Sequence, residues 1–255
     1  MYNQEVIRKV QLRLLRMATI IRDILESNGI KYFITYGTLL GAVRHKGFVP
    51  WDDDFDFYLF DDEYDNAMKV LRDNLPNDLF LENWDSEPLY YHDWAHVKDI
   101  NTIADYELFP GDGSYKHKGV NIDLYRTKKI FEVEEQVYRL TKHKDYLHRR
   151  HNVGLIEDSL FEERLNDVER NLEREEKILN GVTNKGKEMY AFYLIYNDRL
   201  FVDELFPLKK YTFEDTVFYG PQNAEALLSR CYGDFMQLPP VEKRHPHYSN
   251  VEFLK

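Results

Sequence analysis

The sequence predicts an α+β fold, a mixed sheet flanked by helices with a helical region added in its second half. Short runs with a two-residue apolar period, such as Phe55, Phe57 and Leu59 alternating with Asp54, Asp56 and Tyr58, carry the signature of half-buried strands. Between these runs lie segments whose apolar residues recur at helical spacing, and from Phe131 to about Tyr196 that spacing dominates. No repeat or low-complexity linker divides the chain. A soft boundary near Ile130 separates a core, residues 1–130, from a helical and closing region, residues 131–255.

The first element is an amphipathic helix whose stripe is Val6, Val10, Leu14, Met17, Ile21, Ile24 and Leu25, ended by Asn28-Gly29 and expected to cover the sheet. Arg8, Lys9, Arg13, Arg16, Arg22 and Asp23 interrupt its apolar positions, so it resembles neither a signal peptide nor a membrane span. Tyr32-Phe33-Ile34 reads as a short strand, Gly37-Thr38 as a tight turn, and Thr38 to Val43 as a short helix whose first N–H groups lack partners and attract anions. The basic triplet Arg44, His45 and Lys46 follows, and then the acidic strand.

Asp61 to Leu75 reads as a helix with an acidic first turn, and Leu79 to Glu82 as a strand. Two further runs, His96 to Lys98 and Thr102 to Leu108, meet at a turn, and an irregular loop, Pro110 to Ser114, precedes a strand over Lys118 to Tyr125. In the long helix Ser159 to Asn180, the expected buried stripe is Leu160, Leu165, Val168, Leu172 and Leu179.

Four acids crowd the stretch from Asp52 to Asp56, and the strand period sets Asp54 and Asp56 on one face. Adjacent like charges repel and resist ionisation, a conflict that a divalent cation removes. A run of aspartates alone is usually a solvated turn. Joined to a glycine turn, a helix start and a basic triplet, it points to metal-dependent chemistry at a phosphate. In the run Lys118 to Tyr125 apolar residues alternate with Asn121, Asp123 and Tyr125, so Asp123 shares a face with polar groups. Asp53 falls on the apolar side, where capping the turn is its expected job, and Asp52 lies at the start of the strand on the metal face. Lys98, at a strand end, is a weaker candidate for meeting a phosphate. His245 and His247 lack the further ligands of a metal pair and read as surface residues.

Composition sets limits. A hydrophobic share of 43% over 255 residues suffices for a sizeable core. A formal net charge of −11 argues against nucleic-acid partners, and the single cysteine, Cys231, excludes an internal disulfide and fits a cytoplasmic setting. The segment Tyr138 to His151 is a local basic patch, a candidate for contact with donor phosphates or an anionic lipid carrier at the inner membrane surface.

The segment from Tyr36 to Phe57, GTLLGAVRHKGFVPWDDDFDF with its preceding tyrosine, resembles the signature of the LicD family of phosphotransferases, to which the fukutin-type enzymes are related. Phe206 to Pro240 resembles the family's closing hairpin, helix and Tyr-Gly-Asp ending with paired prolines. The resemblance implies a third acid from a neighbouring strand, for which Asp123 is the candidate; the family often follows that acid with an aromatic and a proline, whereas here Tyr125-Arg126-Thr127-Lys128 stands.

The resemblance implies a nucleotidyltransferase-like fold and transfer of a phospho-alcohol, such as phosphocholine, from a CDP-linked donor to a sugar hydroxyl of a glycan or lipid-linked glycan precursor, teichoic acid included, with release of CMP. On this expectation Asp54, Asp56 and Asp123 hold Mg²⁺, with Mn²⁺ as a substitute, and Asp123 either completes the metal site or takes the acceptor's proton. Gly37, Thr38, Arg44, His45, Lys46 and Lys98 contact the substrate. Transfer of a nucleotidyl group, or nucleotide binding without turnover, are the alternatives left open.

Overall fold

The computed structural model describes residues 4–106, 114–192 and 199–254. Residues 110–113 of the irregular loop, 107–108 of the run before it and 193–196 of the helical stretch lie outside the described residues. Helix α1 (Gln4–Ser27) buries Ile7, Val10, Leu14, Met17, Ala18, Ile21 and Leu25 and stops where Gly29 takes a φ of 71°, a left-handed conformation that suits glycine.

Strand β1 (Tyr32–Phe33) leads into α2 (Tyr36–Leu40), which begins two residues before the expected helix, so Gly37 and Thr38 lie inside its first turn. Tyr36 makes the change of direction instead, with a φ of 45° that is costly for a side chain of its size. A π-helical turn, Gly41–His45, continues α2. A Cβ at Gly41 would sit 2.4 Å from the Gly47 carbonyl oxygen, so glycine lets the chain fold back closely there.

There follow β2 (Asp56–Phe60), α3 (Asp61–Asn74), β3 (Leu79–Glu82), β4 (Ala95–Asp99), β5 (Thr102–Tyr106) and β6 (Asn121–Phe131). Next come α4 (Glu135–Asn152), α5 (Asp158–Asn180), β7 (Glu188–Ala191), β8 (Leu200–Phe201) and α6 (Val202–Leu205). The chain closes with β9 (Lys209–Phe213), β10 (Thr216–Gly220), α7 (Ala224–Tyr232) and β11 (Tyr248–Phe253).

The main sheet has the order β1-β2-β6-β4-β3, with β2 and β6 parallel and the other neighbours antiparallel; β7 pairs with the far end of β6, and β8 with β7. It is thus the mixed sheet of an α+β fold. Two small sheets, β9–β10 and β5–β11, complete the structure. Phe55 and Phe57 enter an aromatic core with Phe48, Phe213 and Phe218, where Phe55 lies 5.0 Å from Phe218 and 5.3 Å from Phe213 between ring centroids. Each such ring contributes about 1.5–3 kcal/mol by leaving water, which fixes the inward face of β2 and hence the outward one.

The stretch after Phe131 is mostly helical, as its spacing predicts, with β7 returning at its end to pair with β6. The buried stripe expected in α5 needs correction. In α5 Val168 is buried but Leu160 is 38% exposed and Leu165, Leu172 and Leu179 are half-buried. Chain reversal after α4 packs α5 chiefly on that one helix, which cannot cover the whole stripe. The basic segment forms most of α4, yet its Arg139, Lys142, Lys144 and Arg149 pair with Glu135, Asp93, Glu169 and Asp93, so much of its charge is neutralised in place. Among the described residues no helix is long and apolar enough to cross a membrane.

Candidate active site

Parallel pairing of β2 with β6 places Asp56 opposite Asp123, and the strand period puts Asp54 on the same face. Ligand oxygens of Asp54, Asp56 and Asp123 lie within 4.8 Å of one another. Thr38 ties α2 to this strand, its hydroxyl accepting the Asp56 N–H at 3.1 Å. Asp123 is held from three sides: Asn121 Nδ2 donates to Oδ1 at 2.6 Å, the Tyr125 hydroxyl donates to Oδ2 at 3.0 Å, and His96 Nε2 lies 3.3 Å from Oδ1. Asp54 accepts the N–H of Phe55 at 2.9 Å, while Asp56 Oδ1 is buried without a hydrogen-bond partner.

Burial and mutual repulsion resist the ionisation of these acids. Burial, then the charge of Asp54, pushes Asp123 up to about 8 against the pull of Tyr125, Lys98 and Asn121. Asp56 is driven well above the carboxylate range by burial and then by Asp54, Asp123 and Asp52; Asp54 is raised by burial and by Asp53, and Asp52 is pushed up to about 7, chiefly by burial. Three converging carboxylates with an orphaned buried oxygen form a hard donor set that a divalent cation fits.

The acids open into a cavity of about 820 Å³. Gly37, Thr38 and Arg44 line it together with the three acids. Gly37 backs onto Asp52, where an added Cβ would stand 3.3 Å from Oδ2. Arg44 donates from Nη1 to the Phe235 carbonyl at 2.7 Å and from Nε to His45 Nε2 at 2.9 Å, so it also fixes the loop that rims the cavity. Tyr58 and Tyr125, stacked at 5.0 Å, form one wall.

His45, Lys46 and Lys98 do not line this cavity. The His45 ring stands edge-on to Trp51, Lys46 is exposed with its ammonium on the Val43 carbonyl, and Lys98 is buried 3.3 Å from Glu82 Oε2. Lys98, a candidate for meeting a phosphate, instead points by its alternation into a buried cluster behind Asp123.

His245 is exposed, as its surface reading predicts, whereas His247 packs against two acids. His245 and His247 both line the cavity. Asp53, fully buried, accepts the backbone N–H of His247 at 2.6 Å and of Tyr248 at 3.2 Å, so it caps the returning tail instead of its own turn. His247 Nδ1 lies 3.3 Å from Asp53 Oδ1 and 3.5 Å from Asp52 Oδ1. Burial opposes its charge, but the Asp53 bond and the charges of Asp54, Asp52 and Asp53 outweigh this and raise the imidazole to about 10. Next to it Tyr248 accepts the Asn121 N–H at 3.0 Å, linking the tail to the residue that steadies Asp123.

Residues 29–164 match the family described as LicD/FKTN/FKRP, nucleotidyltransferase domain. The chain is similar to the lipopolysaccharide cholinephosphotransferase LicD of Haemophilus influenzae, with 25% identity over 273 residues covering 97% of this chain and 98% of that protein. It also resembles the ribitol 5-phosphate transferase FKRP of Homo sapiens and Mus musculus, 39% identical over 60 residues, or 23% of this chain and 12% of each relative. The match spans more than half the chain and contains the three acids, Gly37, Thr38 and Arg44: the protein belongs to the LicD/FKTN/FKRP family and is a transferase of substituted phosphate groups.

Proposed function

We propose that the protein transfers a phospho-alcohol, phosphocholine or a similar group, from a CDP-linked donor to a sugar hydroxyl of a cell-surface glycan precursor, releasing CMP. The convergence of Asp54, Asp56 and Asp123 at the floor of one cavity is the observation that carries this reading. These three residues would hold a divalent cation, Mg²⁺ or Mn²⁺, which when bound supplies charge neutralisation at the donor's phosphates.

The remaining work falls to the chain itself. Gly37 and Thr38 offer first-turn N–H groups to phosphate oxygens. Arg44 places a guanidinium against the charge of the departing CMP. Asp123 takes the proton of the acceptor hydroxyl as that oxygen attacks the phosphorus distal to cytidine and the bond from that phosphorus to the CMP oxygen breaks. Asn121, Tyr125 and His96 hold Asp123 in place.

Incubation with CDP-choline, CDP-ribitol, CDP-glycerol or CDP-ethanolamine, Mg²⁺ and a glycan acceptor tests the proposal. Mass spectrometry is expected to find the phospho-alcohol on the acceptor and free CMP. A cytidylyl adduct without phospho-alcohol would make the reaction nucleotidyl transfer and overturn it.

A further inference from the structure

We propose that His247 is a phosphate-binding residue of this cavity, an imidazolium braced through Nδ1 by Asp53 and Asp52 and offering its Nε2 N–H to an oxygen of the donor's pyrophosphate. The inference rests on the transfer reading above and extends it to the far end of the chain.

The residue is anchored twice to one buried acid. Its backbone N–H donates to Asp53 Oδ1 at 2.6 Å and its ring Nδ1 lies 3.3 Å from the same oxygen, so ring position and chain position are fixed together. Asp52 adds a second carboxylate oxygen 3.5 Å from Nδ1. Two acids at one edge of an imidazole fix a proton on Nδ1 and favour the doubly protonated ring. In that form Nε2 carries a proton too. Nδ1 and Nε2 sit on diverging edges, and Nε2 has no hydrogen-bond or ion-pair partner among the described residues. The side chain is 37% exposed and lines the cavity, so a ligand can reach it.

The cavity has use for such a donor. Its walls carry Asp52, Asp54, Asp56, Asp123 and Asp234, whereas the basic side chains lining it are Arg44, His245 and His247. Arg44 already gives an Nη1 N–H to the Phe235 carbonyl and its Nε N–H to His45. A nucleoside diphosphate ester brings two phosphate charges into this acidic space, and a braced imidazolium offsets part of them through a charge-assisted hydrogen bond. The ligand class is therefore a pyrophosphate diester, with inorganic pyrophosphate as its smallest probe.

The full-length chain, labelled with ¹⁵N, is titrated with CDP-choline and with inorganic pyrophosphate in the presence of Mg²⁺, while histidine ring nitrogens are followed by NMR. The chain has nine histidines, and His247→Gln assigns the resonances of interest. The expected result is a doubly protonated ring whose Nε2 signal shifts on adding either probe, more than Nδ1. His247→Gln keeps the backbone bond to Asp53, so the protein should stay folded, with a melting temperature lowered by loss of the ring's ion pair, while both probes bind about tenfold more weakly. Asp53→Asn should weaken them similarly, and the double variant no further, because both changes act through one ring.

Unchanged affinity in a folded His247→Gln, or an Nε2 signal indifferent to both probes, would overturn the assignment. So would a loss confined to Asp53→Asn, which would reduce His247 to holding the tail. If the parent protein binds neither probe, the transfer reading itself fails and His247 falls with it; if the parent binds and His247→Gln binds equally well, the transfer reading stands and His247 alone is removed.

Discussion

Asp123 stands between two acidic neighbourhoods, one on β3 and β4 and the other around β2 and β6, that settle their charges in opposite ways. On one side Glu82 Oε2 lies 3.1 Å from His96 Nδ1 and 3.3 Å from Lys98 Nζ, a buried cluster in which acid meets base. On the other side Asp54 and Asp56 face Asp123 and one another, acid against acid. Charges that answer one another inside the fold serve stability; charges left answering like charges serve a ligand. His96 joins the two, its other nitrogen 3.3 Å from Asp123.

The largest expected effect breaks the acidic side. Asp54→Asn or Asp56→Asn should lower turnover by about a thousandfold or more while the protein stays folded, since each removes a ligand charge from a cavity face. The metal-free melting temperature should hold or rise, because repulsion is relieved. Near-normal activity of either variant under limiting Mg²⁺ would remove that acid from the metal site. Breaking the other side should do the reverse. Lys98→Met leaves Glu82 short of a buried partner and should cost about 3 kcal/mol in urea denaturation, with a smaller change in turnover of the molecules that remain folded. A Lys98→Met protein of parental stability but dead in turnover would place Lys98 in the chemistry after all.

That contrast also explains what the sequence could and could not disclose. Asp54, Asp56 and Asp123 were legible because a strand's two-residue period is local, and a phenylalanine facing inward declares where its neighbour faces. Gly37, Thr38 and Arg44 followed from their nearness in the chain. Lys98 obeyed the same alternation, but which acid would neutralise it depended on Glu82 in another strand. His247 was misread for a stronger form of that reason. Its partners, Asp52 and Asp53, lie nearly two hundred residues away, and nothing periodic in a tail of histidines and a proline announces the return. The π-helical turn that carries His45 away from the cavity left no recognisable mark either.

Acidity sharpens the comparison at intermediate magnitude. Asp52 and Asp123 are raised to about 7 and about 8 in the fold, whereas an unfolded aspartate titrates near 4. Between these limits the native state holds more protons than the unfolded one, so metal-free stability should fall as pH rises from about 4 to about 8. His247, raised to about 10 from 6.5, adds stability that is full below 6.5 and lost toward 10, a change of the same sign. A melting series from pH 5 to pH 9 without divalent cations should descend by roughly 5 °C or more. Mg²⁺ should recover more of it at pH 8 than at pH 5, where protons already quiet the acids. A metal-free melting temperature that climbs across this range would contradict the acidic cluster as described.

The smallest effect concerns Arg44, which belongs to both kinds of neighbourhood. Its Nη1 supports the loop at Phe235 and its Nε meets His45, yet its guanidinium lines the cavity, so it is partly spent on structure and partly offered to a ligand. Arg44→Ala should weaken donor binding and slow turnover by about tenfold each, the value of one charge-assisted contact. Arg44→Lys restores a point charge without the fork, and it cannot hold the Phe235 carbonyl and a phosphate in one plane. It should therefore recover only part of the loss, and more of the binding than of the turnover if the charge matters chiefly as CMP departs. Steady-state kinetics of both variants with a CDP-alcohol donor decide this. Full recovery by lysine would reduce Arg44 to a diffuse charge, and unchanged donor kinetics in both variants would leave it only the loop at Phe235.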